Sequence, residues 1–193
     1  LNRKEIFIYY SSPENWIATA MELNETINQL NLIKNKRFCL DTYHLDIETF
    51  ARPFCSKSIY LLMSFAIENI LKAMLILRKP ELVNTGKIKD EIKSHNLILL
   101  LNKAEINLIN EQIDFLKKLS HISVSTARYP IGLNENYEIQ KVSILDKDYS
   151  IYENLFESIM ELLLKEFNEK GWNSGHKNEK LNIKPGEFKY KYE

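Results

Sequence analysis

Residues 59–77 read IYLLMSFAIENILKAMLIL, and the reading of this run decides the fold. Only Ser64, Glu68, Asn69 and Lys72 interrupt the apolar surface. A helix that is hydrophobic on most faces has to be buried. Ser64, Glu68 and Lys72 are spaced by four, so they share one stripe of that helix. A buried charge is costly unless it is paired. The stripe therefore needs a polar partner or an opening to solvent, and it locates a polar site. The run is also long enough to span a bilayer. Glu68 and Lys72 near its middle favour the core helix of a soluble, cytoplasmic protein with no membrane partner.

The rest of the chain supports a helical domain around this rod. At 193 residues and 45% hydrophobic content, one sizeable core is expected, and only five Gly and five Pro argue against an all-β fold. Ser12-Pro13-Glu14 reads as cap, first turn and dipole-complementing acid. Trp16, Ala20, Leu23, Ile27 and Leu30 then make one apolar face, fading near Asn35-Lys36. Residues 36–52 lack a clean period and are expected to be a connection packed on the bundle, with room for a short helix. Pro53 reads as the first turn of the central helix, which ends before Pro80.

Residues 80–94 read as a mobile, slightly basic loop carrying Lys87, Lys89 and Lys93 against Asp90 and Glu91. Ser94 is expected to cap a short helix from His95 to about Lys103. A longer one follows from about Ile106 to His121 or beyond, striped by Ile106, Ile109, Ile113, Leu116 and Leu119. Pro130 and Gly132 break it. Residues 131–147 form a long connection. Asp146 or Asp148 then caps a last helix with Ile151, Leu155, Ile159, Leu162 and Leu163 on its buried face and Gly171 as its stop. The expected architecture is an all-α, up-and-down bundle of four to five helices over residues 1–170. Residues 171–193, with five Lys against three Glu after Gly171, are expected to be a polar, flexible tail.

Charge and composition exclude several chemistries. Twenty-six basic and 26 acidic residues leave no global field for nucleic acid, so any such contact needs a local patch. Cys39 and Cys55 are too few for a disulfide scaffold and read as isolated buried thiols in a reducing compartment. Cys39 and His44 have neither CxxC nor His-x-x-x-His around them, so no metal site is expected, and the scattered glycines supply no phosphate loop. No cofactor is expected.

Three pieces occur in a recognisable order. They are Ala66-Ile67-Glu68-Asn69-Ile70-Leu71-Lys72-Ala73, then Ser94-His95-Asn96-Leu97, then Ala127-Arg128-Tyr129-Pro130. This order resembles the HEPN family, the nucleotide-binding domain of higher eukaryotes and prokaryotes, over residues 55–165. Its members typically read Glu-x-x-x-Lys-Ala, His-x-Leu and Ala-Arg-Tyr-Pro. The resemblance implies a helical bundle, a homodimer, and RNA, a nucleotide or a cognate partner protein as ligand. It also implies a place in a toxin–antitoxin pair or in anti-phage defence. Ribonuclease members carry a His with four to six residues between it and the Arg, where this chain has Leu133, Asn134 and Glu135. Arg37 and His44 show that loose spacing, but ahead of the central helix, which is the wrong side of the family order.

Two readings stand for each candidate residue. Glu68 and Lys72 form either an ordinary i,i+4 ion pair or, by family position, a phosphate contact at a pocket rim. His95 is either a satisfied imidazole at a helix start or a polar anchor facing Lys72 and Arg128. Arg128 and Tyr129 either finish a helix and lid the core, or grip phosphate and stack on a base. His121, seven residues before Arg128, shares its face if the helix reaches Ala127. His121 would then take a 2′-hydroxyl proton while Arg128 stabilises the charged phosphorane, giving a metal-independent endoribonuclease. The remaining alternative is a non-catalytic scaffold that masks another chain.

Overall fold

A computed structural model describes residues 1–40, 50–124 and 144–189. It is an all-α bundle, with one short antiparallel strand pair, built around the predicted rod. That rod is α3, Ser56–Arg78, following α1, Arg3–Tyr10, and α2, Pro13–Leu32. Helices α4, Leu97–Lys103, α5, Asn110–Val124, and α6, Asp146–Lys170, complete the set. From Ile59 to Leu77 nearly every apolar side chain of α3 is buried, including Ile67, Ile70, Leu71 and Met74. Each such side chain contributes about 1.5–3 kcal/mol on leaving water, which is why this helix is the centre and not a wall. Among the described residues α3 is the one helix long and apolar enough to cross a membrane, and 78% of its most apolar window is buried inside the bundle.

Helix α2 runs antiparallel to α3: Trp16 lies by Lys72, and the Cys55 thiol donates to Leu30 O at 3.5 Å. Helix α6 runs parallel to α3. Its start is tied by Tyr60 to Asp148 and its end by Arg78 to Glu166. Arg78 also donates to the Ala104 carbonyl, so one guanidinium joins α3, the α4–α5 turn and α6. Helices α2 and α6 meet through long polar side chains. Tyr152 donates to Asn24 at 2.8 Å, Tyr149 donates to Asn28 at 2.7 Å, and Lys34 pairs with Asp146.

Several boundaries differ from expectation for local reasons. Helix α2 starts after Ser12 as read, and α3 stops before Pro80. Residues 36–52 supply no described helix: Arg37–Leu40 (β1) pairs with Phe50–Pro53 (β2), with Arg37 opposite Pro53. Pro53 therefore closes a strand, and α3 begins at Ser56 behind Cys55. Ser94 does not cap α4. Asn96 does, its side chain accepting from Leu99 N, while Ser94 Oγ accepts from Asn96 N at 3.0 Å. Ile109 is exposed ahead of α5, whose buried stripe is Phe115, Leu116, Leu119 and Ile122. Leu162 likewise points outward, while the expected Leu155, Ile159 and Leu163 are buried together with Tyr152, Phe156, Met160 and Phe167. Leu145 precedes α6 without a side-chain cap, and Asp148 is turned into the protein.

The segment at 80–94 is not a loose loop. It forms two short 3-10 turns, Pro80–Leu82 and Asp90–Ile92, pinned by buried Leu82, Val83 and Ile92. Glu81 offsets its third lysine, so the segment carries no net charge. Residues 171–189 also pack on the bundle and do not trail from it as a tail. Trp172 is buried and donates from Nε1 to Ile76 O at 3.0 Å, Ser174 and Leu181 are buried, and Phe188 stacks on Phe167. Trp172 and Ile183 pair as backbone partners. Gly171 permits the turn: its φ is +64°, and a Cβ there would stand 2.3 Å from Ile183 O.

Candidate functional site

The polar stripe of α3 carries the site. Ser64, Glu68 and Lys72 are all buried, with Glu68 7% and Lys72 5% exposed. Lys72 Nζ donates to Glu68 Oε1 at 2.7 Å and sits 5.7 Å from the centre of the Trp16 ring. The ammonium is committed on both sides, to a carboxylate and to an aromatic face. This is the geometry of a buried intrahelical pair and not of a cation waiting at a rim.

The third member is His95, in the turn before α4. Its Nδ1 lies 3.0 Å from Glu68 Oε2 and 3.1 Å from Oε1, while its side chain is 59% exposed. Glu68 is thus the hinge of the cluster. One carboxylate oxygen faces Lys72 inside, and both face the imidazole towards the surface. Two residues 27 positions apart meet because residues 79–94 carry the chain back from the end of α3 to the level of Glu68, from where α4 runs alongside α3 towards Arg78. The Leu97 N–H donates to Ser120 Oγ at 3.3 Å, which brings the end of α5 against the same turn.

The structure therefore joins three of the candidate residues, Glu68, Lys72 and His95. It places His121 exposed on α5, one residue beyond Ser120, and the described helix continues to Val124. Arg128 and Tyr129 lie outside the described residues, as do Ala127, His44 and residues 133–135. Cys55 is buried, a thiol and not a disulfide, and burial pushes its ionisation up. Among the described residues no group of three or more His, Cys, Asp or Glu side chains is placed to hold a metal ion.

A second polar cluster was not legible in the chain. Buried Asp148 Oδ2 accepts from the Tyr60 hydroxyl at 2.5 Å and from Lys118 Nζ at 2.7 Å, and Lys118 lies 5.1 Å over the Tyr60 ring. Burial first, and the Asp148 carboxylate second, hold the Tyr60 phenol far above its ordinary ionisation. Tyr60 sits inside the apolar run, where it reads as one more core aromatic. The usable signal is that a buried tyrosine hydroxyl requires a partner. In the sequence Trp16 is one member of an apolar face, and its place under Lys72 depends on the antiparallel register of α2.

Comparison of the chain with protein-family models, with curated proteins and with solved structures returns no match.

Proposed function

We propose that the protein is a HEPN-like helical module that binds single-stranded RNA or a nucleotide on the face bearing His95. The observation that supports this reading most is the Glu68–His95 contact. A buried carboxylate holds an exposed imidazole in fixed orientation, beside the end of α5, from which the chain leads to Arg128 and Tyr129. By residue type those two supply a planar phosphate grip and a stacking ring. Lys72 acts from beneath, donating to Glu68 Oε1 at 2.7 Å, and does not itself touch phosphate. The family order carried by Glu68, Lys72, His95 and Arg128 makes a homodimer and a cognate partner protein part of the same reading, in a toxin–antitoxin or defence setting.

Titration of labelled RNA and of nucleotides against wild type and Arg128→Ala tests the binding. Loss of affinity in the variant, steeper at low salt, is the expected result. Equal affinity in both, or no binding in either, overturns the reading. Sedimentation at micromolar protein tests the dimer, and a monomer at every concentration overturns that part.

A further inference from the structure

We infer that helix α1 is a peripheral docking surface for anionic lipid, lying on a bilayer and not across it. The proposal stands apart from the nucleotide reading and uses none of its residues. Residues 6–10 read IFIYY, an unbroken apolar run on a helix of eight residues. Of the five only Ile8 is buried, and Phe7 is half-buried against the core. Ile6, Tyr9 and Tyr10 are 43, 44 and 67% exposed. Spacings of three and four put Ile6 beside both tyrosines, whose rings meet edge to face with centres 5.2 Å apart. Helix α1 is therefore apolar on its solvent side as well as on its inner side.

Cations border this patch. Arg3 stands one turn before Ile6 on the same stripe. Lys4 lies so close to Gly86 that a Cβ there would stand 3.3 Å from its side chain, which brings Lys87 to the same edge. Lys177 is next to Asn178, whose side chain donates to Glu5 Oε1 at 3.0 Å. All four cations are exposed, and among the described residues none of them makes an ion pair. The one acid of α1, Glu5, is engaged by Asn178 and by the Asn2 N–H. Glu179 and Lys180, which follow, cancel one another. Asn15 donates to the Tyr9 carbonyl at 2.9 Å and, with the Asn178 bond, fixes the helix from behind as a rigid edge.

The size and chemistry of the patch select the occupant. Taking about 200 Å² for a whole side chain of this kind, the three exposed residues offer roughly 300 Å². A stable protein partner needs about 800 Å² on each side. A lipid surface needs less, because shallow apolar insertion and attraction to anionic headgroups share the affinity. Tyrosine suits that boundary, with its ring among the acyl chains and its hydroxyl at the headgroups. Long unpaired Lys and Arg side chains reach the headgroups from the rim. At about 12 Å in length, α1 is far short of the roughly 30 Å hydrocarbon core.

Flotation of the full chain with vesicles tests this, using phosphatidylcholine alone and phosphatidylcholine with about 30% phosphatidylserine. Wild type should bind the anionic vesicles, more weakly as salt rises, and the neutral ones at least about tenfold less. Arg3→Gln with Lys4→Gln should weaken binding about twenty-five-fold, at about fivefold per cation. Ile6→Ser with Tyr10→Ser should weaken it at least about tenfold. All four positions are exposed, so both variants should fold as wild type does, which circular dichroism verifies. No binding to anionic vesicles at low salt overturns the proposal. Equal binding by either variant, or equal binding to neutral vesicles, overturns it too. Self-association that disappears in Ile6→Ser with Tyr10→Ser, without vesicle binding, overturns it in favour of a second copy of the chain. None of these outcomes touches the Arg128 titration.

Discussion

Lys72→Met leaves the Glu68 carboxylate buried with only an exposed imidazole beside it. The paired side chains are 7% and 9% exposed, so water screens them little. Breaking a buried pair by removing one partner costs about 3–5 kcal/mol, because the remaining charge stays out of water. The lost contact of the ammonium with the Trp16 ring adds about 0.5–2 kcal/mol. Taking about 4 kcal/mol, and about 2–4 °C per kcal/mol for a chain of this size, the melting temperature should fall by about 10 °C. With a urea dependence near 2 kcal/mol per molar, the midpoint should move by about 2 M. The double variant Glu68→Leu, Lys72→Met removes both charges and should return to within about 1 kcal/mol of wild type, or exceed it. Urea unfolding of wild type, Lys72→Met, Glu68→Leu and the double variant, followed by circular dichroism, forms a complete double-mutant cycle. A single-variant cost below about 1 kcal/mol is what a solvent-screened surface pair shows, and it would refute the buried placement of Lys72.

Three further perturbations test other parts of the fold. Tyr60 has its ionisation raised in the folded state, so its contribution is fully present below the ordinary phenol value and is lost as pH rises above it. Ultraviolet titration should show a tyrosine that ionises only with unfolding and is absent in Tyr60→Phe; full titration of every phenol in the native protein would refute this. Glu166 is held below the ordinary carboxyl value, first by the hydrogen bond from Arg78 and then, against burial, by Lys170. Its stabilisation is present above the ordinary value and lost as pH falls through the lowered one, so Arg78→Met should flatten the acid limb of the stability profile. Gly171→Ala forces a Cβ to 2.3 Å from Ile183 O at a positive φ, and should cost about 2 kcal/mol or more in a thermal melt. Wild-type stability in that variant would mean that residues 171–189 do not pack as described.

The parts legible in the chain are those whose signal is local and repeated. Helix α3 announces itself because only four of nineteen residues are polar, and α2 because a Ser-Pro-Glu start precedes a regular apolar stripe. The C-terminal segment reads as a tail because Trp172 and Leu181 bury it with two anchors in a polar stretch, a pattern without period. Asp148 read as a cap because nothing nearby reveals its role: Tyr60 lies 88 residues away and Lys118 lies 30. Of the site, the i,i+4 spacing of Glu68 and Lys72 follows from helix geometry alone. That His95 closes on the same carboxylate depends on how residues 79–94 bring the chain back beside α3, which no spacing encodes.

The bonds from Tyr152 to Asn24 and from Tyr149 to Asn28, extended by Lys34 and Asp146, act as teeth between α2 and α6. The two tyrosine teeth sit about one turn apart on each rod, so a sliding movement of an ångström or two would strand both hydroxyls against the wrong neighbour. Helix α6 can therefore hold its place or jump a whole turn of about 5.4 Å, and any motion that reshapes the His95 face by way of α6 would come as a step and not as a drift.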